Sequence, residues 1–178
     1  MSEIFFSSDI HFGHKNIIHH ANRPFDSVEE MNESLIERWN AVVGSRDVVY
    51  FAGDFSFDKR EATAQYFKAL NGVKHLIVGN HDGNAVQKME WETVSDIKEV
   101  KAEGHRFVIC HYPMTVWNGS HHGVFHVHGH SHGTLKDKVF GRADVGVDCH
   151  PDYRPFTIEE FVAAASVGRR EGSDHHGR

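Results

Sequence analysis

Two cysteines, no apolar run long enough for a bilayer and no excess of positive charge set the first boundaries on this chain of 178 residues. Cys110 and Cys149 are too few for a disulfide framework and show no CxxC spacing, so both read as buried thiols and the reducing cytoplasm as the compartment. The N-terminus, MSEIFFSSD, has an acid at Glu3 and only Ile4, Phe5 and Phe6 before polar residues resume, which lacks the basic and apolar regions of a signal peptide. Nineteen basic against 25 acidic residues give a net charge of -6, so the chain carries no global footprint for long nucleic acid or a membrane surface. Any phosphate affinity must come from a local site. There is no internal repeat and no linker. The length fits one domain over residues 1–167, and the polar stretch 168–178, with His175 and His176, reads as a disordered tail.

What the chain has in abundance is histidine. It contains 17, and six of them (His121, His122, His126, His128, His130 and His132) fall within twelve positions. The remaining pattern is α/β. Ile4 to Ser8, Asp47 to Ala52 and Val73 to Val78 read as buried strands. Between them, Ser27 with Glu30 and Asp58 with Glu61 predict capping boxes that open two helices, closed at Gly44 and at Asn71-Gly72. Beyond Trp91, Val94 to Ala102 and His105 to His111 predict a hairpin around Glu103-Gly104. Gly123 to His128 and Ala143 to Cys149 read as a further strand pair in a more antiparallel second sheet. Thr157 with Glu160 predicts a third capping box and a final helix.

Five clusters share a position at the end of an apolar strand, and each carries metal-ligand side chains: Asp9-Ile10-His11, Gly53-Asp54, Gly79-Asn80-His81-Asp82, His111 and Gly129-His130-Ser131-His132. Parallel strand ends converge on one sheet edge, so the clusters can meet. On extended backbone, Asp9 and His11, or His130 and His132, would point the same way because residues two apart share a face. Each cluster alone is an ordinary turn or loop start. Their joint, ordered occurrence is not.

The ordered set D-x-H, G-D, G-N-H-[DE], H and G-H-x-H resembles the calcineurin-like metallophosphoesterase superfamily over roughly residues 4–150. The resemblance implies a β-sandwich of two mixed sheets flanked by helices. It also implies two divalent ions, from among Mn²⁺, Fe²⁺, Zn²⁺ and Ni²⁺ with Mn²⁺ favoured. Asp9, His11, Asp54 and His132 would surround one ion, and Asp54, Asn80, His111 and His130 the other, with Asp54 bridging. A shared anion between two close cations suits in-line displacement at phosphorus. The implied activity is hydrolysis of a phosphate ester, a phosphodiester before a phosphomonoester, by direct attack of a hydroxide that bridges the ions. His81 follows a ligand and by resemblance faces the scissile phosphate as a proton donor or electrostatic stabiliser. Asp82 either orients His81 or caps the turn.

Gly53-Asp54 runs into Phe55-Ser56-Phe57, where some relatives carry a further acid and an arginine. His14, Lys15, Asn16 and Arg23, in the loop after the first strand, are candidates to reach substrate instead, or are solvated loop residues. His126 and His128 are either supports for the ligands or plain strand residues, and His121 and His122 either border the site or lie in a solvent loop. The expected partner is a small phosphate ester, including a short or cyclic nucleotide. The competing readings are a nuclease of the same family, a non-catalytic module and a histidine-rich metal buffer.

Overall fold

The structure, a computed structural model, describes residues 2–168, so His175, His176 and nearly all of the expected tail lie outside the described residues. Two sheets face each other. The first has the order β4-β3-β2-β1-β9, with β1 at Ile4–Ser7, β2 at Val48–Phe51, β3 at Val73–Ile77, β4 at Thr93–Ser95 and β9 at Phe156–Thr157. The second has the order β5-β6-β7-β8, with β5 at Ile97–Ala102, β6 at His105–Cys110, β7 at Phe125–His128 and β8 at Arg142–Asp144. Among the described residues no helix is long and apolar enough to cross a membrane.

Strand alternation builds the layers. Phe6, Ala52 and Ile77 of the first sheet meet Phe107, Ile109, Phe125 and Val127 of the second, and Phe161 closes this core. Phe5, Val49, Phe51 and Leu76 point the other way, onto helices α2 (Val28–Val42) and α3 (Arg60–Ala69). Helix α2 buries Met31, Leu35 and Trp39, four residues apart on one face, each worth about 1.5–3 kcal/mol of burial.

The predicted hairpin forms, and Glu103 (φ 49°) and Gly104 (φ 78°) both take the left-handed backbone that a tight two-residue turn requires. The run expected from Val94 to Ala102 breaks at Asp96. Its first part pairs with β3 in one sheet and its second with β6 in the other, because alternation marks burial and not partner. The second sheet is also less antiparallel than its sequence suggested: β6-β7 and β7-β8 are parallel pairs, and residues 147–149 form a 3-10 turn instead of strand.

Ser27 caps α2 by accepting from the Glu30 N–H, but the Glu30 side chain reaches Asp26 N, one residue outside the box. Asp58 does not cap α3. Its carboxylate takes Lys59 N and the Tyr66 hydroxyl, and Lys59 holds the cap position. The third box forms as predicted at helix α5 (Ile158–Ala165), where Thr157 and Glu160 exchange bonds. Two one-turn helices, α1 (Ile17–His20) and α4 (Asn84–Gln87), lie in segments with no clear helical period.

Candidate metal centre

The carboxyl ends of β1, β2, β3, β6 and β7 deliver the five clusters to one edge. Backbone pairing beyond the strands locks them: Asp9 N bonds Gly53 O at 2.9 Å, His11 N bonds Asp54 O at 3.1 Å, and Gly129 N bonds His111 O at 3.0 Å. Asp9, His11, Asp54, His130 and His132 all have left-handed backbones, with φ of 55°, 56°, 62°, 68° and 46°. Asp-x-His therefore does not converge through extended geometry as expected. Each of these five residues takes a left-handed backbone at a cost of about 1–3 kcal/mol, which persists only where surrounding bonds over-determine it.

The side chains nevertheless meet. His11 Nε2 stands 3.7 Å from Asp9 Oδ1 and 3.8 Å from Asp54 Oδ2, and His132 Nε2 lies 3.8 Å from Asp9 Oδ1. On the other flank, His111 Nε2 is 3.5 Å from Asp54 Oδ2 and 3.0 Å from Asn80 Oδ1, and His130 Nδ1 is 3.0 Å from the same Asn80 oxygen. Asp9, His11 and His132 thus offer three ligand atoms within 4.8 Å of one another, as do Asp9, Asp54 and His111.

His11 decides what these groups fit. It is buried, and neither ring nitrogen has a hydrogen-bond partner. An orphaned imidazole between two carboxylates costs free energy unless a ligand completes it, and a divalent cation suits nitrogen and oxygen donors of this kind. Tautomers agree. His111 Nδ1 lies 2.7 Å from Ala52 O and must donate there, which leaves Nε2 as a lone pair facing Asp54.

His132 is set in the same way by a residue that the strand-like run hid. Its Nδ1 donates to Asp148 Oδ2 at 2.7 Å. Burial opposes charge on both, but their mutual bond prevails: His132 is held above the ordinary imidazole range and Asp148 below the ordinary carboxylate range, Arg23 assisting the latter. In sequence VGVDC reads as strand, and the partners of Asp148 lie 125 and 16 residues away.

Arg23 is buried beneath the centre, and its guanidinium is turned to protein groups. It bonds both Asp148 oxygens at 2.8 Å, Asp9 O at 2.6 Å, Ile10 O at 2.7 Å and Met31 Sδ at 3.4 Å, which engages all five guanidinium N–H groups. Its role is to clamp the Asp9 turn to Asp148. Asp82, likewise, caps and does not orient His81: its carboxylate accepts from Asp54, Phe55 and Gly79 N–H groups, each at 2.9 Å. Burial nonetheless holds its pKa above the usual range. Gly129 is required sterically, since a Cβ there would overlap Asp9 Oδ2 and Ser8 Oγ.

On the open side stands His81, with its side chain 45 % exposed and Nε2 4.0 Å from Asp54 Oδ2. Phe57 flanks its ring at 4.5 Å and that of His14 at 4.2 Å. Lys15 and Asn16 are exposed on the same loop. His126 is a strut: buried, with Nδ1 3.0 Å from Val108 O and Nε2 accepting Met114 N, it fixes the segment after His111. Burial pushes its pKa down to about 4, so it is neutral. His128, also buried, bonds Gly129 O. His121 and His122 occupy a 3-10 turn between the left-handed Gly119 and Gly123.

Carboxylates and imidazoles gathered in this way at one edge of a two-sheet sandwich define a metal-dependent hydrolase. The family model described as calcineurin-like phosphoesterase matches residues 3–175, and the chain belongs to that family of metal-dependent phosphoesterases. The chain is 36 % identical over 176 residues to the uncharacterized protein MJ1445 of Methanocaldococcus jannaschii, covering 95 % of this chain and 94 % of that one. It is 30 % identical to the Gene 66 protein of Mycobacterium phage L5 over 76 % of this chain and 80 % of that one. In fold it is similar to the protein of unknown function AQ665 from Aquifex aeolicus, with a TM-score of 0.70, 22 % identity, and 90 % and 98 % of the two chains covered.

Proposed function

We propose that the protein hydrolyses a small phosphodiester at a dinuclear centre, with Asp9, His11, Asp54 and His132 holding one divalent ion, Asp54, Asn80, His111 and His130 the other, and Mn²⁺ the favoured metal. The observation that carries this reading is the place of Asp54 Oδ2, 3.8 Å from His11 Nε2 on one flank and 3.5 Å from His111 Nε2 on the other. Asp9 is central too, but its carboxylate is already engaged by Ser8 Oγ and His130 N, which makes it the poorer bridge.

Bound cations would supply Lewis-acid charge at phosphorus and lower the pKa of the attacking water. The chain's own groups do the rest. Asp54 Oδ1 is fixed by the His81 N–H at 2.9 Å, so the bridge and the candidate acid are set by one turn. The His81 imidazole, free on the open side, gives its proton to the leaving oxygen. Asn80, a neutral ligand, leaves net positive charge for the phosphate anion. The net charge of -6 favours a small ester over a long nucleic acid. The test is a panel of phosphomonoesters, linear diesters and cyclic nucleotides offered to metal-loaded protein. Turnover of diesters ahead of monoesters supports the reading, and hydrolysis of monoesters alone refutes the diester preference.

A further inference from the structure

Resting on the proposed diesterase reading, we infer that the cavity between α1 and the loop after His132 is the subsite for the retained ester group, and that this group is a ring-sized, largely apolar one, as in an aryl or nucleoside ester. The cavity holds about 550 Å³ and borders His130 and His132 directly. That volume falls within the range of small-molecule sites, roughly 300–1,000 Å³, and far exceeds what inorganic phosphate or a methyl ester would fill.

Its chemistry selects the occupant. Ile17, Ala21 and Leu135 supply apolar lining, and Thr134, His20 and Lys136 supply polar lining. The described lining has donors and a cation but no carboxylate, which suits an anionic ester carrying an apolar ring and disfavours a cationic headgroup. Both walls are built. Ile17 and Ile18 anchor α1 in the core, and Arg23 N bonds Ile18 O at 2.8 Å. The loop is closed by Thr134 Oγ1 on Ser131 O at 2.7 Å and by Gly133 N on Asp144 Oδ2 at 3.0 Å. His81, the proposed donor to the leaving oxygen, is not among the lining residues, so the retained group and not the leaving group falls to this cavity.

Two variants test this on Mn²⁺-loaded full-length protein. Ala21→Trp fills the cavity at a residue with φ of -101°, where any side chain is tolerated, and Leu135→Ala strips its apolar wall. Each is assayed on bis(4-nitrophenyl) phosphate and methyl 4-nitrophenyl phosphate, which share a leaving group and differ in the retained one. Phenylphosphonate and methylphosphonate are titrated calorimetrically in parallel. Either variant should lower the bis-aryl to methyl ratio of kcat/KM by about tenfold, the scale of losing one buried ring, and should erase the tighter binding of phenylphosphonate. If Ala21→Trp fails to fold, Leu135→Ala carries the same prediction. Turnover of both diesters with unchanged ratios and unchanged phosphonate preference would overturn the subsite and leave the diesterase reading standing. No turnover of either diester, with phenylphosphonate still preferred and that preference lost in the variants, would overturn the diesterase reading and keep the cavity as a ring-binding site.

Discussion

Replacing Arg23 with methionine separates a buried clamp from a substrate contact, the role that its position in the sequence suggests. The Arg23 side chain is fully buried and that of Asp148 is 5 % exposed, with the pair joined through two bonds of 2.8 Å. Methionine would strip Asp148 of two charged hydrogen bonds, leaving it the His132 imidazole as partner, and would free the carbonyls of Asp9 and Ile10, which now take charged donors at 2.6 and 2.7 Å. Breaking a buried pair from one side costs about 3–5 kcal/mol, a large share of a domain's whole stability of about 5–15 kcal/mol. Lysine should rescue little, since one ammonium cannot span a carboxylate and two carbonyls at once. Urea unfolding of the metal-free protein, held with chelator, reads the loss directly. The double variant Arg23→Met/Asp148→Leu should recover part of it, because no buried carboxylate is then left short of those two bonds. A loss below about 1 kcal/mol for Arg23→Met, with a raised KM, would show that the guanidinium serves substrate and that the clamp is wrong.

Asp148→Asn should weaken metal binding by about 10- to 100-fold through misorientation of His132, as read by competition with a chromogenic chelator. Full affinity in a folded variant would refute that role. His81→Ala should keep its metal and lose turnover by roughly 10²–10⁴, with the smaller loss on nitrophenyl esters, whose leaving group needs no proton; equal losses on alkyl and nitrophenyl esters would instead make His81 an electrostatic stabiliser. Arg154 donates to both oxygens of Glu160 and, against the effect of burial, holds that carboxyl at about 2 in place of 4.5. A depressed carboxylate stabilises above its unfolded pKa and loses that contribution as pH falls through its folded one. The Tm gap between wild type and Glu160→Gln should therefore be present above pH 4.5 and close as pH falls towards 2; a gap that widens on acidification would contradict the pairing.

The gathering of the five clusters at one edge is legible because they stand at strand ends next to a glycine or a short polar stop, a pattern local in sequence. The Thr157-Glu160 cap and the Glu103-Gly104 turn were legible for the same reason. What was hidden depends on distance along the chain. Asp148 bonds Arg23 across 125 residues and His132 across 16, and nothing in VGVDC separates an acid on a 3-10 turn from one on a strand. The split at Asp96 was hidden because both halves alternate alike, and sheet membership is settled by β3 and β6 and not by the run itself. Asp58 reads as a cap in sequence, but its carboxylate accepts from the Tyr66 hydroxyl, a contact that exists only once α3 is placed. Asp9 and His11 converge through left-handed backbones, which the sequence does not announce, and not through the extended pair that it suggests.

The most direct test of the dinuclear centre is metal stoichiometry measured together with turnover, in wild type and in Asp54→Ala. Protein stripped with chelator, dialysed and titrated with Mn²⁺ should take up two tightly held ions per chain and recover diesterase activity in step with the second. Asp54→Ala, lacking the oxygen that stands between His11 and His111, should hold at most one ion and show no turnover. Two ions with near-normal turnover in Asp54→Ala, or full activity of the wild type with a single ion, would contradict the account.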